Sequence, residues 1–146
     1  MPEKKTLERA RRDAREGKAP STQAGEFVRE EMEHIRKGKH GARSTKQAIA
    51  IGLSKARRAG VPLAPPKAGR TSPRTRSQAE RDYEKGQTGE GRKKPSAKRS
   101  HAVRAALKRE GRAAASKRAL SKQARSAASR RRKRGTVSAG AASHGK

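Results

Sequence analysis

Residues 22–60 read TQAGEFVREEMEHIRKGKHGARSTKQAIAIGLSKARRAG. Apolar side chains recur at helical period in both halves of this segment, on either side of a glycine-containing loop. They are Ala24, Phe27, Val28, Met32 and Ile35 in the first half and Ala48, Ile49, Gly52, Leu53 and Ala56 in the second. Two amphipathic helices joined by a short loop form an antiparallel hairpin, which we predict here.

The ends of both helices carry sequence signals. Pro20 suits the first turn of a helix, and Gly38 suits the position just after its end. The pair Ser44 and Gln47 has the spacing of a capping box, in which each side chain bonds to the backbone of the other residue. Gly52, in the second helix, would let the two helices approach closely.

The composition of the whole chain limits how much of it can fold. The 146 residues include 41 Lys and Arg against 13 Asp and Glu, a net charge of +28, and cysteine is absent. Leu, Ile, Val and Phe together number 13, and so few apolar residues with so much charge are typical of disorder. We expect no disulfides, no secretory signal and no membrane span, and therefore a cytoplasmic protein.

We predict an all-α fold that is ordered only at its N-terminal end. Residues 1–60 would form a small helical module, in which a short N-terminal helix precedes the hairpin. Residues 61–95 are rich in Pro and Gly and would form a linker with a short helix at 77–85. Residues 96–146, rich in Ala, Lys and Arg, would be a largely disordered basic tail that gains helix on phosphates.

The charge distribution points to a polyanion as partner. From residue 91 onward there are 19 basic residues and one acidic residue. We therefore predict a non-enzymatic, largely sequence-nonspecific DNA-binding protein that acts by phosphate neutralisation. The predicted nucleic-acid-binding residues are Lys39, Arg43, Ser44, Lys46, Lys55, Arg57, Arg58, Arg118, Lys122, Arg125, Arg130, Arg131, Arg132, Lys133 and Arg134.

The segment offers one weak metal or catalytic pattern. Glu31 and His34 have the Glu-x-x-His spacing of half a carboxylate-bridged di-iron site. No second such pattern exists, and His40, His101 and His144 show no metal-ligand spacing. We therefore predict a solvated helix face there, no catalytic residue, no metal ligand, no cofactor and no small-molecule substrate.

Two other functions fit the same composition. Small basic helical proteins also bind RNA or the ribosome, and composition does not separate the two polymers. In the other alternative the hairpin binds a protein, a basic partner facing Glu30, Glu31 and Glu33 or a second copy of the chain. Membrane binding is not expected, because the basic helices lack bulky apolar faces.

Residues 39–60, together with 24–31, resemble a bacterial family of small basic proteins that are often labelled plasmid stabilisation proteins. The resemblance covers about residues 5–65. The tail is similar in composition to the C-terminal tails of linker histones. These resemblances imply a bacterial cytoplasmic protein associated with the nucleoid or with plasmids, and they supply no binding residues.

Overall fold

A computed structural model describes residues 2–89 and 96–143, with side chains as far as residue 135. The described chain is all-α. Its elements are α1 (Lys4–Arg15), α2 (Pro20–Arg36), α3 (Thr45–Arg58), α4 (Pro73–Thr88), α5 (Ala97–Lys108), a 3₁₀ turn (Ala113–Ala115) and α6 (Lys117–Ser143). No helix among the described residues is long and apolar enough to cross a bilayer.

The helices α2 and α3 form the antiparallel hairpin. Phe27 lies in one apolar cluster with Ala56, near the open end, and Ile35 lies in another with Ala48, near the loop. A Cβ atom at Gly52 would lie 2.7 Å from the Cα atom of Val28, so only glycine permits this approach. The predicted role of Gly52 is confirmed.

The hydrogen bonds that cap the hairpin helices match the sequence prediction with one exception. The Ser44 hydroxyl accepts a hydrogen bond from the backbone N–H of Gln47 at 3.2 Å. The Gln47 side chain accepts from the N–H of Arg43 at 2.6 Å, one residue before the predicted partner. At the end of α2, Gly38 adopts a φ of 77°, which favours glycine.

The prediction of a largely disordered tail is wrong. Residues 97–108 and 117–143 are helical, and the 3₁₀ turn between them is packed into the core of the hairpin. The buried members of that cluster are Met32, Ile35, Ala42, Ala48, Ala114 and Ala115. Two alanines of the tail therefore complete an apolar cluster that the hairpin begins.

Side-chain hydrogen bonds tie the 3₁₀ turn to the hairpin. The hydroxyl of Thr45 donates to the carbonyl of Ala114 at 2.6 Å, in a buried position. The guanidinium of Arg36 donates to the carbonyl of Ala115 at 2.9 Å. Because Ala115 is fully buried and Ala114 nearly so, these bonds satisfy carbonyls that water does not reach freely.

Backbone hydrogen bonds join the hairpin loop to the segment that precedes the turn. The N–H of Gly41 donates to the carbonyl of Leu107 at 2.8 Å, and the N–H of Ala42 donates to the carbonyl of Gly111 at 3.0 Å. Polar backbone groups on both sides are paired in this way, although few large side chains take part. This explains how a segment so poor in apolar residues is held in place.

The segment after the hairpin also packs. Val61 is buried and Leu63 is partly buried against the cluster that contains Phe27. The helix α4 begins at Pro73, capped by Ser72, and is longer than the predicted 77–85. It packs against α3, with Ala79 among its buried residues.

Candidate nucleic-acid interface

Two of the predicted binding cations have partners within the fold. Arg57 is 8% exposed, and its guanidinium donates to the carbonyls of Leu63 at 3.2 Å and Ala64 at 3.3 Å. Burial lowers the pKa of this guanidinium from its ordinary value. Arg58 lies 3.6 Å from the buried carboxylate of Asp82. Both side chains thus hold the segments around α3 together.

Three further predicted residues are engaged around the hairpin. The ammonium of Lys39 lies 3.5 Å from the carboxylate of Glu3. Lys55 forms an ion pair and a hydrogen bond with Glu31, whose side chain is fully buried. Ser44 caps α3.

Four of the predicted nucleic-acid-binding residues lie at or near the start of α3, namely Lys39, Arg43, Ser44 and Lys46. Four backbone N–H groups at or near this end donate to protein acceptors, namely those of Gly41, Ala42, Arg43 and Gln47. An anion therefore finds fewer free donors here than an uncapped helix end offers. The side chains of Arg43 and Lys46 remain exposed. They can contact a phosphate without the help of those backbone groups.

The helix α6 carries most of the exposed predicted cations. Its exposed basic residues are Lys117, Arg118, Lys122, Arg125, Arg130, Arg131, Arg132, Lys133 and Arg134. From the first to the last of them the helix rises about 25 Å, at about 1.5 Å per residue. B-DNA of that length carries on the order of 15 phosphate charges on its two strands.

An open cleft lies between α6 and the loop before α4. Its described lining includes Arg70 from the loop and four cations from the helix, and it includes no acidic side chain. The four are Arg130, Arg131, Lys133 and Arg134. Like charges this close repel one another, so an anion that entered the cleft would relieve the repulsion.

Arg70 was missed in the sequence. It lies in a segment interpreted as linker, and its neighbour Gly69 has a φ of 84° in a tight turn that is closed by a bridge between Ala68 and Thr71. The composition of the linker shows that it contains basic residues. Their position beside α6 depends on tertiary packing, which composition does not carry.

The Glu-x-x-His pattern lies in a buried environment. The prediction of a solvated face is wrong for Glu31, whose side chain is fully buried. The side chain of His34 is 14% exposed, and that of His40 is 13% exposed. His40, which comes from the loop after α2, reaches the same place, and His144 lies outside the described residues.

Comparisons of the chain with protein-family models, with curated proteins and with solved structures gave no match. The resemblance of about residues 5–65 to small basic plasmid stabilisation proteins therefore stays a prediction.

Proposed function

We propose that the protein binds duplex DNA without sequence preference, mainly through the exposed cations of α6, and that it catalyses no reaction. The observation that carries the proposal is the cleft in which Arg70 faces the basic residues of α6 with no acidic residue in its described lining. Each phosphate that a cation neutralises releases counterions, and this release drives binding.

The shape of α6 favours duplex DNA over duplex RNA. An α-helix with its side chains is about 10–12 Å across, close to the roughly 12 Å width of the B-DNA major groove. The major groove of A-form RNA is deep and narrow, and a helix does not enter it. With this activity the protein would act in the cytoplasm as a nucleoid-associated protein.

The alternative of a protein partner on the acidic side of α2 has less support. Glu30 is 3% exposed and Glu31 is fully buried. Glu33 lies 3.4 Å from the guanidinium of Arg29 in an i,i+4 pair. Two of the three carboxylates that would face a basic partner are therefore inside the fold.

The test compares two variants of the full-length chain that have equal charge. One replaces Arg130, Arg131, Lys133 and Arg134 by glutamine. The control replaces four exposed cations of α1 by glutamine, namely Lys5, Arg11, Arg12 and Arg15. Both lose four positive charges, so any difference between them reports position and not net charge.

Binding is measured by fluorescence anisotropy with duplex DNA and with structured RNA over a salt series. We expect the α6 variant to reduce the magnitude of the negative slope of log K against log salt by about 3. We also expect it to weaken DNA binding about 100-fold at 0.1 M salt. The α1 variant should change the slope by less than about 1.

Equal losses in both variants would mean that net charge alone drives binding, and they would overturn the assignment to α6. RNA binding tighter than DNA binding by tenfold or more would overturn the choice of DNA. Charge variants are preferable to a truncated chain, because removing the tail also removes Ala114 and Ala115 from the core.

A further inference from the structure

A compact polar cluster lies beside the hairpin loop, away from the cations of α6. A carboxylate oxygen of Glu31 and one ring nitrogen each of His34 and His40 lie within 4.8 Å of one another. Glu3 and Glu30 extend the cluster around His34 under the same distance limit. In a chain of net charge +28 with 13 acidic residues, three carboxylates converge here.

The hydrogen bonds of His40 define which ring nitrogen can accept. Nδ1 of His40 lies 2.9 Å from the carbonyl oxygen of Gly41. A carbonyl only accepts, so Nδ1 carries the proton, and in the neutral ring Nε2 then presents a lone pair. Nε2 lies 3.1 Å from Oε2 of Glu31, which is also an acceptor.

The two carboxylate oxygens of Glu31 differ in their hydrogen bonding. Oε1 accepts a hydrogen bond from Lys55. Oε2 is buried, and no donor among the described residues forms a hydrogen bond to it. A buried carboxylate oxygen only 3.1 Å from an unprotonated ring nitrogen is unfavourable unless a positive ion lies close to both atoms. That ion is either a second proton on His40 or a metal.

The rest of the cluster distinguishes the two ions. A proton would pair only His40 with Glu31. A metal ion takes three ligands at once, and the third ligand is already within 4.8 Å.

The distances suit a tetrahedral ion. Ligand atoms at about 2.0–2.1 Å from a tetrahedral zinc ion are about 3.3 Å from one another. The 3.1 Å between His40 and Glu31 is close to that value. A shift of the His34 side chain towards this pair would bring the third ligand to the same spacing, and water would take the fourth position.

A second layer of hydrogen bonds orients the ligands. Nε2 of His34 lies 3.0 Å from Oε1 of Glu3, and Nδ1 of His40 is held by the carbonyl of Gly41. Metal-binding histidines in proteins are commonly held by a carboxylate or a carbonyl in this way.

We propose that Glu31, His34 and His40 bind one divalent transition-metal ion of the zinc type, with Glu3 as a positioning residue. Such ions bind readily to two nitrogens and one carboxylate oxygen, whereas magnesium and calcium prefer ligand sets made of oxygen atoms.

The test is a zinc titration of the full-length, untagged, chelator-treated protein against a chromogenic competitor, with no nucleic acid present. We expect one zinc ion per chain with a dissociation constant on the order of 1 µM or lower. His34→Gln and His40→Gln should each weaken binding at least about 100-fold, and Glu3→Gln about 10-fold.

The matched control is His101→Gln, since His101 is an exposed histidine on α5. Its zinc affinity should equal that of the parent protein. Circular dichroism of each variant checks that it folds. Because a buried variant can fail to fold, ring-nitrogen NMR of the unmodified protein provides a second measurement, in which zinc should shift one nitrogen of His34 and one of His40.

Absence of zinc binding in the parent protein would overturn the proposal. So would affinity unchanged by both ligand variants, or a His40 ring that stays doubly protonated when zinc is added, because a proton would then occupy the gap. None of these outcomes depends on whether the protein binds DNA.

Discussion

The hairpin and the tail are both helical, but they are held by different interactions. The hairpin buries large side chains such as Phe27 and Ile35, each at most 1% exposed. In the tail, α5 contains no buried residue, and its Val103 is 54% exposed. The tail is anchored by the short turn at Ala114 and Ala115 and by hydrogen bonds to the hairpin loop.

The difference shows that a charged segment can be ordered with little apolar area. Each Å² of apolar surface that is buried stabilises the fold by about 25 cal/mol, so burying an alanine stabilises it less than burying a leucine. The small side chain compensates by allowing the backbone to come close enough for Arg36 and Thr45 to reach its carbonyls. The ordered structure of the tail therefore depends on a few specific hydrogen bonds, whereas that of the hairpin depends on buried apolar surface area.

The largest expected effect comes from filling the close approach within the hairpin. In Gly52→Ala the new methyl group would meet the Cα and N atoms of Val28 at 2.7 and 2.9 Å. Backbone atoms cannot rotate away, so we expect a loss of about 2–3 kcal/mol in the free energy of unfolding, measured by urea denaturation.

The matched control is Gly25→Ala in α2, where an added Cβ meets nothing within 4 Å. It should stabilise the protein by up to about 1 kcal/mol, because alanine favours helix over glycine. If both substitutions had the same effect, close packing at Gly52 would not be what holds the hairpin.

A smaller effect is expected at the junction between hairpin and tail. Thr45→Val removes the donor to the buried carbonyl of Ala114 and should cost about 1–2 kcal/mol. Amide hydrogen exchange should become faster in α5 and α6 than in α3. Thr88→Val is the control, because Thr88 bonds only within its own exposed helix turn. Faster exchange spread evenly over α3 and α6 would contradict separate anchoring of the tail.

The smallest expected effect concerns the N-terminus and pH. The hydrogen bond with His34 lowers the pKa of Glu3 in the folded chain. A lowered pKa contributes stability above the ordinary glutamate value of about 4.3, and that contribution is lost as the pH falls through the folded-state pKa. The melting temperature of Glu3→Gln should therefore lie slightly below that of the parent at pH 6, and the difference should shrink as the pH is lowered below that ordinary value. A difference that does not shrink on acidification would assign the effect to something other than this charge.

The hairpin was predictable because its signals are local. The period of the apolar residues, the cap at Ser44, the stop at Gly38 and the contact at Gly52 all lie within 39 residues of sequence. The helix α2 ends at Arg36, two residues before the predicted stop at Gly38. Each of these features follows from helix geometry and does not need the rest of the chain.

The tail and the polar cluster were not predictable by the same means. Ala114 and Ala115 look like any other alanines of a low-complexity segment, and only contact with Met32 and Ala48 gives them a role in the core. Similarly, His40 lies beside Glu31 because the loop after α2 folds back, and the spacing of the two residues in the sequence does not predict this contact. The internal bonds of cations such as Arg57 were not predictable either, since charge alone does not reveal which side chains bond within the fold.

The bond from Thr45 to Ala114 spans 69 residues of sequence, and this has a consequence during protein synthesis. A ribosome adds about 5–20 residues per second, so roughly 3–14 s separate the appearance of the two partners. During that interval the apolar side of the nascent hairpin around Met32 is uncovered. A ribosome that stalls before residue 115 would thus hold a hairpin with an open apolar side, which a chaperone or a protease can recognise.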